Sequence, residues 1–420
     1  MDQYQSDYRL IGFLLLENII PVVLLAATPR GSVLRYLAIP CMIWIVSLLL
    51  YPVQRPSYLS VNGLGGSVCC VFSALDFLLI NPKDGRNFVD ADGKPKGFFS
   101  RLVDASRLFT SPRAFGTPRQ AKNTPSLPAY YAEKDPNKIS RARYLTREIP
   151  IAIWQYFVLD ILTMLAVKDA MNQKESGMVA VSGIQWDLTA EQWVSRAISN
   201  LFGWFIASRI LIGFYCRVVA IIFVACGLSS PSECPPMFST MADSYTLRNF
   251  WGKFWHQMLR LPFTAASNFI TRDVLGLPKP SVVERYFNVF LVFFFSGLLH
   301  ALSDVLRSIS LQESGAMFFF LSFVLGYMIE DGVTALWKRT QGTQTTGGPP
   351  PLWQRAIGFC WVMGWLTVTS TLYFGPATAR PECQLELVPF SVAGSTSLPV
   401  LSSILLVSGI ALKMILKVEI

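Results

Sequence analysis

The chain has 420 residues, of which 52% are hydrophobic, 13% are aromatic and only 15% are charged. Soluble domains carry roughly 25% charged residues, so this composition excludes an ordinary soluble domain. Several apolar runs approach the ~20 residues that cross a bilayer, which predicts an all-α, multi-pass transmembrane helical bundle forming one domain over 1–420. The net charge of +9 fits basic loops and anionic lipid headgroups, so we expect membrane lipid as a partner and no nucleic acid.

About nine spans are predicted from the apolar runs. In chain order they cover 10–27, 33–51, 61–80, 149–167, 197–226, 286–306, 315–336, 353–374 and 399–417. The first follows MDQYQSDYR, which lacks the basic region of a cleaved signal peptide, so we expect it to be retained. The fifth run is long and contains Arg209 and Arg217, which predicts a tilted helix, a broken helix, or a span with an interfacial piece.

The basic residues of the loops predict the orientation. The segment 81–148 contains 14 lysines and arginines against 7 acidic residues, and such loops face the cytoplasm. The segment 227–285 lies two spans further on and is therefore also expected to be cytoplasmic. The N-terminus would then be lumenal and the C-terminus cytoplasmic.

The basic segment also contains a predicted amphipathic helix. In GFFSRLVDASRLF (97–109) the apolar residues recur at spacings that approximate one helical face. Such a helix is expected to lie in the membrane interface. The residues of this face are Phe98, Phe99, Leu102, Val103 and Phe109.

His300 is one of only two histidines and lies inside the apolar run FNVFLVFFFSGLLHAL. An ionisable side chain within a membrane helix usually marks a functional site, and histidine suits proton transfer near neutral pH. If the helix begins near Tyr286, His300 lies roughly 21 Å along it. Ser296 and Gly297 would leave space for a thin substrate chain beside the ring, and Asp304 could orient it. A histidine that only holds two helices together remains an alternative.

His256, the other histidine, lies in the aromatic and basic stretch RNFWGKFWHQMLR. On one continuous helix, Asn249, Lys253, His256 and Arg260 would share a side and present donors to a phosphate or carbonyl ligand. Trp251 would share a face with Trp255. A tryptophan belt at the membrane interface is an equally good explanation of the aromatic residues.

Metal chemistry is not expected. Zinc requires three or four protein ligands, the two histidines stand alone, and none of the eight cysteines forms a CxxC pair. Charged residues within apolar runs, among them Arg217 and Asp76, are expected to form ion pairs between helices. Glu330 and Asp331 are expected to be solvated near a helix end.

Three stretches in this order resemble signatures of the wax-synthase-like branch of the membrane-bound O-acyltransferases. SPRAFG with the following QAKN looks like the first cytoplasmic signature, although RAFGT (113–117) departs from its usual form. PPMFSTMADSYTLRNFWGKFWHQMLR (235–260) looks like the second, and FSGLLHAL (295–302) looks like the catalytic-histidine helix. The likeness is greatest to fungal members that acetylate terpenoid or meroterpenoid alcohols in secondary metabolism.

The resemblance implies an acyl-coenzyme A-dependent O-acyltransferase with an internal reaction tunnel, usually in the endoplasmic reticulum. It implies acetyl-coenzyme A as co-substrate, a small hydrophobic alcohol as acceptor and no bound cofactor. His300 would be the catalytic histidine, and His256 would take the second active-site position in the cytoplasmic active-site loop 227–285. Residues expected to bind coenzyme or substrate are Arg248, Asn249, Trp251, Lys253, Trp255, Gln257, Arg260, Ser296 and Gly297.

Other functions remain open. A long-chain wax or sterol ester synthase would use the same mechanism, and Ser296 and Gly297 do not fix the tunnel length. A transporter or lipid flippase would use the intramembrane charges as a relay, but the sequence lacks the paired halves typical of transporters. A non-catalytic membrane scaffold would need neither histidine. The acceptor alcohol and the oligomeric state do not follow from the sequence.

Overall fold

The structure of the chain is a computed structural model. It describes residues 2–50, 58–90, 92–132, 139–175, 189–200, 205–341, 350–378, 380, 383, 386–392 and 398–417. These ranges contain helices, turns and loops and no β-strand, which confirms the all-α class.

The described part of the chain contains fourteen α-helices. They are α1 Asp2–Ala27, α2 Val33–Leu49, α3 Tyr58–Ala74, α4 Phe98–Thr110, α5 Ala129–Ala132, α6 Arg141–Glu175, α7 Ala190–Asn200, α8 Ala207–Ala225, α9 Leu247–Asn249, α10 Arg260–Asn268, α11 Val282–Leu306, α12 Ala316–Gln341, α13 Leu352–Thr378 and α14 Leu398–Leu416. Three of them continue directly into π-helical turns. These are Leu75–Ile80 after α3, Phe250–Phe254 after α9 and Phe269–Val274 after α10.

All nine predicted runs coincide with apolar helices. By length and composition, α3 with its π-helical turn, α6, α8, α11, α12 and α13 are each able to cross a membrane. The apolar parts of α1, α2 and α14 are shorter, so nine crossings remain a prediction. Within the run 197–226 the structure describes α7 up to Asn200 and α8 from Ala207. Residues 201–204 lie outside the described residues, so a break of this run remains a prediction.

The chain packs as two compact units, each assembled from two stretches of sequence. Unit 1 comprises Met1–Ala121 and Gln257–Val324, and unit 2 comprises Lys122–His256 and Leu325–Ile420. The three boundaries therefore fall between Ala121 and Lys122, between His256 and Gln257, and within α12. That the chain forms one functional domain over 1–420 remains a prediction.

The core of unit 1 packs α3 against α10 and α11. Leu64 of α3, Phe263 of α10 and Leu299 of α11 belong to one buried apolar cluster. A second cluster joins α1, α2 and α3, and Ala105 of α4 is buried in it. The helix that carries His300 is thus held by apolar contacts along its length.

The amphipathic helix α4 divides its apolar residues between two environments. Leu102 and Phe109 pack against the α1–α3 cluster, whereas Phe98, Phe99 and Val103 are exposed, with Phe99 at 82%. The structure has a helix at the predicted position, and two of its five apolar residues, Leu102 and Phe109, face the unit 1 core. Its place in the membrane interface remains a prediction. Only the exposed three are available to a lipid surface.

Two charged residues of the apolar runs form ion pairs within their own unit. Arg217 of α8 pairs with Glu148 of α6 in unit 2, which is the expected pairing between helices. Asp76, in the π-helical turn after α3, pairs at 2.5 Å with Arg119 of the following loop in unit 1. These pairs matter because a buried charge without a partner is costly.

A polar network fixes the first turns of α11 to α10. The Asn288 amide donates to the Glu284 carboxylate at 2.9 Å and to the Thr271 hydroxyl at 3.0 Å, and its oxygen accepts a bond from Ser267. Arg272 adds a 2.6 Å bond to Glu284. Since Ser267 and Thr271 are fully buried, the network sets the position of α11 at the end where it starts.

Replacing Asn288 with alanine should destabilise the protein, because Glu284, Thr271 and Ser267 would each lose a buried partner at a cost of about 1–3 kcal/mol per group. We expect a lower midpoint of thermal unfolding in detergent. The midpoint is measured by the labelling of buried cysteines with a thiol-reactive fluorophore as the protein unfolds. Asn18→Ala is the matched control, because the exposed Asn18 amide bonds only to Leu14 of its own helix. Equal midpoints for the two variants would contradict the role of the network.

Candidate functional site

His300 lies on the side of α11 that packs against α12 within unit 1. Its ring stacks on Phe320 with 4.7 Å between centroids and 14° between planes. Two turns earlier, Phe293 stacks on Phe323 at 5.6 Å. The α11–α12 contact is therefore an aromatic seam, and His300 is the basic group within it. Parallel stacking fixes the plane of the imidazole, and its two ring nitrogens point outward in that plane.

Gly297 lets α12 approach α11 closely, one turn before His300. A Cβ at this position would lie 2.9 Å from Met317 Sδ and 3.2 Å from Met317 Cα. The space beside Gly297 is therefore filled by α12, which differs from the opening for a substrate chain that the sequence suggested. Ser296 is also buried, and its hydroxyl donates to the Val292 carbonyl at 3.1 Å.

Asp304, near the end of α11, forms a hydrogen bond with the loop that precedes α12. Its carboxylate accepts a 2.7 Å bond from the Ser314 hydroxyl and lies 3.6 Å from the Arg307 guanidinium. These partners differ from the expected one, the ring of His300. α11 also begins at Val282 rather than near Tyr286, so His300 lies roughly 27 Å along the helix.

The segment around His256 is not one continuous helix. α9 ends at Asn249, the π-helical turn Phe250–Phe254 follows, and Trp255 is extended with φ −69° and ψ 152°. α10 begins only at Arg260. The prediction that residues 249, 253, 256 and 260 share one helical side is therefore wrong. The break at Trp255 turns the chain just before His256.

An aromatic cluster of unit 2 surrounds this break. Trp255 is buried and contacts Trp251 at 5.9 Å between ring centroids, so the expected pairing of these two tryptophans is found. The His256 ring packs edge-on against Phe238 at 6.0 Å and lies 5.7 Å from Trp255. Phe205 stacks on Phe254 behind them. Phe238 and Trp255 thus shield two sides of the imidazole, which is half-buried.

The three cations expected to bind coenzyme A differ in their surroundings. Arg248 bonds to Asp331 at 2.9 Å and lies 4.5 Å above the Tyr327 ring. Arg260 donates to the buried Gln257 side chain at 2.9 Å within unit 1. Lys253 makes no ion pair with any described residue, so its ammonium is the most available to an anionic ligand. Among the described residues, no three His, Cys, Asp or Glu side chains converge as a metal site.

Glu330 of α12 binds the start of this segment. Its carboxylate accepts the backbone N–H of Leu247, the backbone N–H of Arg248 at 3.2 Å and the Trp361 indole N–H at 3.1 Å. The prediction that Glu330 is solvated is wrong, because its carboxylate binds three donors of the protein. The Asp331 side chain is partly exposed and pairs with Arg248. Two acidic residues in an otherwise apolar helix were the signal, but the sequence did not identify their partners.

Asn123 binds the middle of the same segment. It adopts a left-handed conformation with φ 62°, and its amide donates to the Gly252 carbonyl at 2.8 Å. Asn123 is the last residue of QAKN, in the first signature, and Gly252 belongs to the second. Sequence analysis recognised both motifs but could not show that one binds the other.

The loop of the first signature is compact within unit 1. Arg113 is buried, and its carbonyl accepts the N–H of Ala121 at 2.9 Å. Ala114 and Gly116 both have positive φ, at 46° and 72°. Residues 113–117 (RAFGT), which depart from the usual form of this signature, thus form a tight turn.

Comparison with known proteins places these motifs in a family. The model of the membrane bound O-acyl transferase family matches residues 234–322, which include both histidines. Acetyltransferase pyr8 of Aspergillus fumigatus is 37% identical, covering 92% of this chain and 91% of its own length. Acetyltransferase atnC of Arthrinium sp is 38% identical over 94% of both chains, and acetyltransferase TRI7 of Fusarium sporotrichioides is 33% identical over 87% of this chain and 84% of its own.

No solved structure matches the chain, so the family assignment rests on the sequence relatives. Their identity extends over nearly the whole length of both partners, far beyond the two histidine motifs. The apolar helices agree with an integral membrane protein. The chain is therefore an acyltransferase that belongs to the membrane bound O-acyl transferase family.

Proposed function

We propose that the protein transfers an acetyl group from acetyl-coenzyme A to a hydroxyl of a terpenoid or meroterpenoid intermediate in secondary-metabolite biosynthesis. Family membership supports acyl transfer, and the relatives named acetyltransferases support the acetyl group. The observation that carries the proposal is His300, a basic group held in an aromatic seam of an apolar helix. That helix lies within the stretch that matches the family model.

His300 acts as the general base in this proposal. It takes the proton of the acceptor hydroxyl as the oxygen attacks the thioester carbonyl. The new bond joins that oxygen to the acetyl carbon, the carbon–sulfur bond breaks, and the proton passes from His300 to the departing coenzyme A sulfur. The stack on Phe320 holds the ring plane during both proton transfers, and the apolar walls keep out water that would hydrolyse the thioester.

His256 stabilises the negative charge that develops on the carbonyl oxygen. Hydrogen-bond donors aimed at an oxyanion are effective in a site that excludes water, and the ring of His256 is enclosed by Phe238 and Trp255. The side-chain amides of Asn249 and Gln257, which lie near His256 in the sequence, are further hydrogen-bond donors in this proposal. The extended backbone at Trp255 gives His256 a direction that a continuous helix would not give it.

Lys253 is the principal contact for the phosphates of coenzyme A. Its ammonium has no acidic partner among the described side chains, whereas Arg248 and Arg260 are engaged by Asp331 and Gln257. The two arginines and the tryptophans 251 and 255 complete the coenzyme-binding segment in this proposal. Ser296 and Gly297 contribute by shaping the helix beside His300.

The endoplasmic reticulum is the proposed location, with a lumenal N-terminus and a cytoplasmic C-terminus. The support is the excess of basic residues in 81–148. This orientation puts 227–285 on the cytoplasmic side, where acetyl-coenzyme A is available. A protease-protection assay on sealed microsomes with tags at each end tests the proposed topology.

Replacing His300 with alanine should reduce acetyl transfer by about 10²–10⁴-fold, which is the usual contribution of a general base. Thiol release from acetyl-coenzyme A and the mass of the product are measured in membranes supplied with terpenoid and fatty alcohols. Phe320→Leu is the matched control, since it removes the stacked ring but keeps the base, and it should retain part of the activity.

Near-normal turnover of His300→Ala would refute the assigned role. A histidine-dependent long-chain ester, formed from a long-chain acyl donor in the same assay, would keep the mechanism and indicate a wax or sterol ester synthase. Substrate accumulation in sealed vesicles without thioester consumption would indicate a transporter.

Replacing Lys253 with alanine should raise the KM for acetyl-coenzyme A about ten- to a hundredfold, because one charge-assisted bond to phosphate is lost. The KM for the alcohol should stay the same, and Lys253→Arg should restore most of the affinity. Lys338→Ala, an exposed lysine on α12, is the control for a general loss of positive charge. An unchanged KM for acetyl-coenzyme A in Lys253→Ala would exclude this lysine from coenzyme binding.

A further inference from the structure

The start of the 247–256 segment presents three backbone N–H groups that need acceptors. The first N–H groups of any helix lack partners within that helix. Thr246, as the N-cap, accepts only the N–H of Asn249 through its side chain, at 3.0 Å. The Glu330 carboxylate accepts the N–H groups of Leu247 and Arg248. One carboxylate from a distant helix therefore completes the cap.

α12 and α13 are shaped to receive this segment. A Cβ at Gly326 of α12 would lie 2.4 Å from Leu247 Cδ1, and a Cβ at Gly358 of α13 would lie 2.2 Å from the Tyr245 carbonyl oxygen. Glu330 follows Gly326 by four residues, so both lie on the same face of α12. Gly326 thus admits the Leu247 side chain and Gly358 admits the Tyr245 backbone, and each glycine is followed one turn later by a polar side chain of the same helix.

Trp361 of α13 completes the arrangement. It follows Gly358 by three residues, and its indole N–H donates to Glu330 at 3.1 Å. The Glu330 carboxylate therefore accepts one hydrogen bond from α13 and two from the backbone of Leu247 and Arg248. A charged group in an apolar helix is expensive, and three donors directed at Glu330 compensate for that cost. Asp331 differs, because its partner is the side chain of Arg248, which is 41% exposed.

We infer that Glu330 is a positioning residue of the transfer reaction, which holds the backbone of the segment that carries Asn249, Lys253 and His256. This inference rests on the proposed function, because it assumes that the segment binds coenzyme and stabilises the oxyanion. Glu330 itself contacts neither substrate nor coenzyme. Its effect passes through the N–H groups of residues 247 and 248, which precede the proposed ligand-binding side chains.

The test compares Glu330→Ala, Glu330→Gln and Asp331→Ala in the full-length protein in membranes. For each variant, kcat per folded molecule and the KM for acetyl-coenzyme A and for the alcohol are measured. Glu330→Ala should lower kcat about tenfold or more and raise the KM for acetyl-coenzyme A several-fold, with the KM for the alcohol unchanged. A tenfold change corresponds to about 1.4 kcal/mol and reflects the loss of the charge-assisted hydrogen bonds to Leu247 and Arg248.

Glu330→Gln keeps the shape of the side chain and one carbonyl acceptor, so it should fold and should show an intermediate effect. Asp331→Ala removes a neighbouring carboxylate whose partner is the Arg248 side chain. Because both side chains of this pair are partly exposed, the kinetic constants should stay within about twofold of the unmodified protein. Comparing the Glu330 variants with Asp331→Ala distinguishes the effect of losing the backbone cap from the effect of losing a negative charge on α12.

Three outcomes would overturn the inference. One is a Glu330→Gln protein with unchanged kinetic constants, and another is an Asp331→Ala protein as impaired as Glu330→Ala. The third is a lower yield of folded Glu330→Ala with normal kcat and KM per folded molecule, which would show a purely structural role. The Lys253→Ala variant separates the two proposals. If it raises the KM for acetyl-coenzyme A and Glu330→Gln does not, only the positioning role fails; if Lys253→Ala has no effect, the coenzyme assignment fails.

Discussion

Polar groups inside an apolar helical protein must find their hydrogen-bond partners within the protein, because the hydrocarbon core of a bilayer supplies none. Much of the architecture described above follows from this constraint. Buried Arg35 donates to Thr28 and to the Lys83 carbonyl, which closes the end of α1. Asn288 binds three polar side chains, Glu284, Thr271 and Ser267, at the first turns of α11. Each of these groups links two elements, so polar satisfaction determines which elements are neighbours.

The two histidines have different structural surroundings. His300 belongs to a regular helix, and its orientation comes from the repeat of α11 and from the Phe320 ring. His256 follows a π-helical turn and an extended residue, so no single helix repeat determines its direction. Side chains outside the segment must therefore hold its backbone, and Glu330 and Asn123 do so. π-helical turns are often found at functional sites, and this one lies within the proposed coenzyme-binding segment.

Sequence analysis predicted the helices well, because a run of about twenty apolar residues is a strong signal that depends on local composition. It also identified His300 and His256, since ionisable groups in apolar or aromatic surroundings are conspicuous. The break at Trp255 was missed, because no proline marks it and the 4-3-4 spacing is compatible with a continuous helix. Gly297 was misjudged because a small residue suggests empty space, while Met317 of the next helix fills it.

The residues that bind the second signature could not be predicted from the sequence for a different reason. Glu330 and Leu247 are separated by 83 positions, and Asn123 and Gly252 by 129. Periodicity and local motifs carry no information about contacts at such separations. An acidic pair inside an apolar helix does indicate a functional or structural constraint, but only the folded chain shows that one member caps a backbone segment and the other binds an arginine.

The bond between Asn123 and Gly252 has a consequence for enzyme engineering. The two sequence signatures are joined by a hydrogen bond from a side-chain amide to a backbone carbonyl, so the geometry of one depends on the conformation of the other. A chimera that takes the second signature from one relative and the first from another combines halves that evolved separately. Exchanging residues 119–124 together with 245–256 preserves the hydrogen bond between Asn123 and Gly252. Variant libraries intended to alter acceptor preference should therefore exchange the two stretches together.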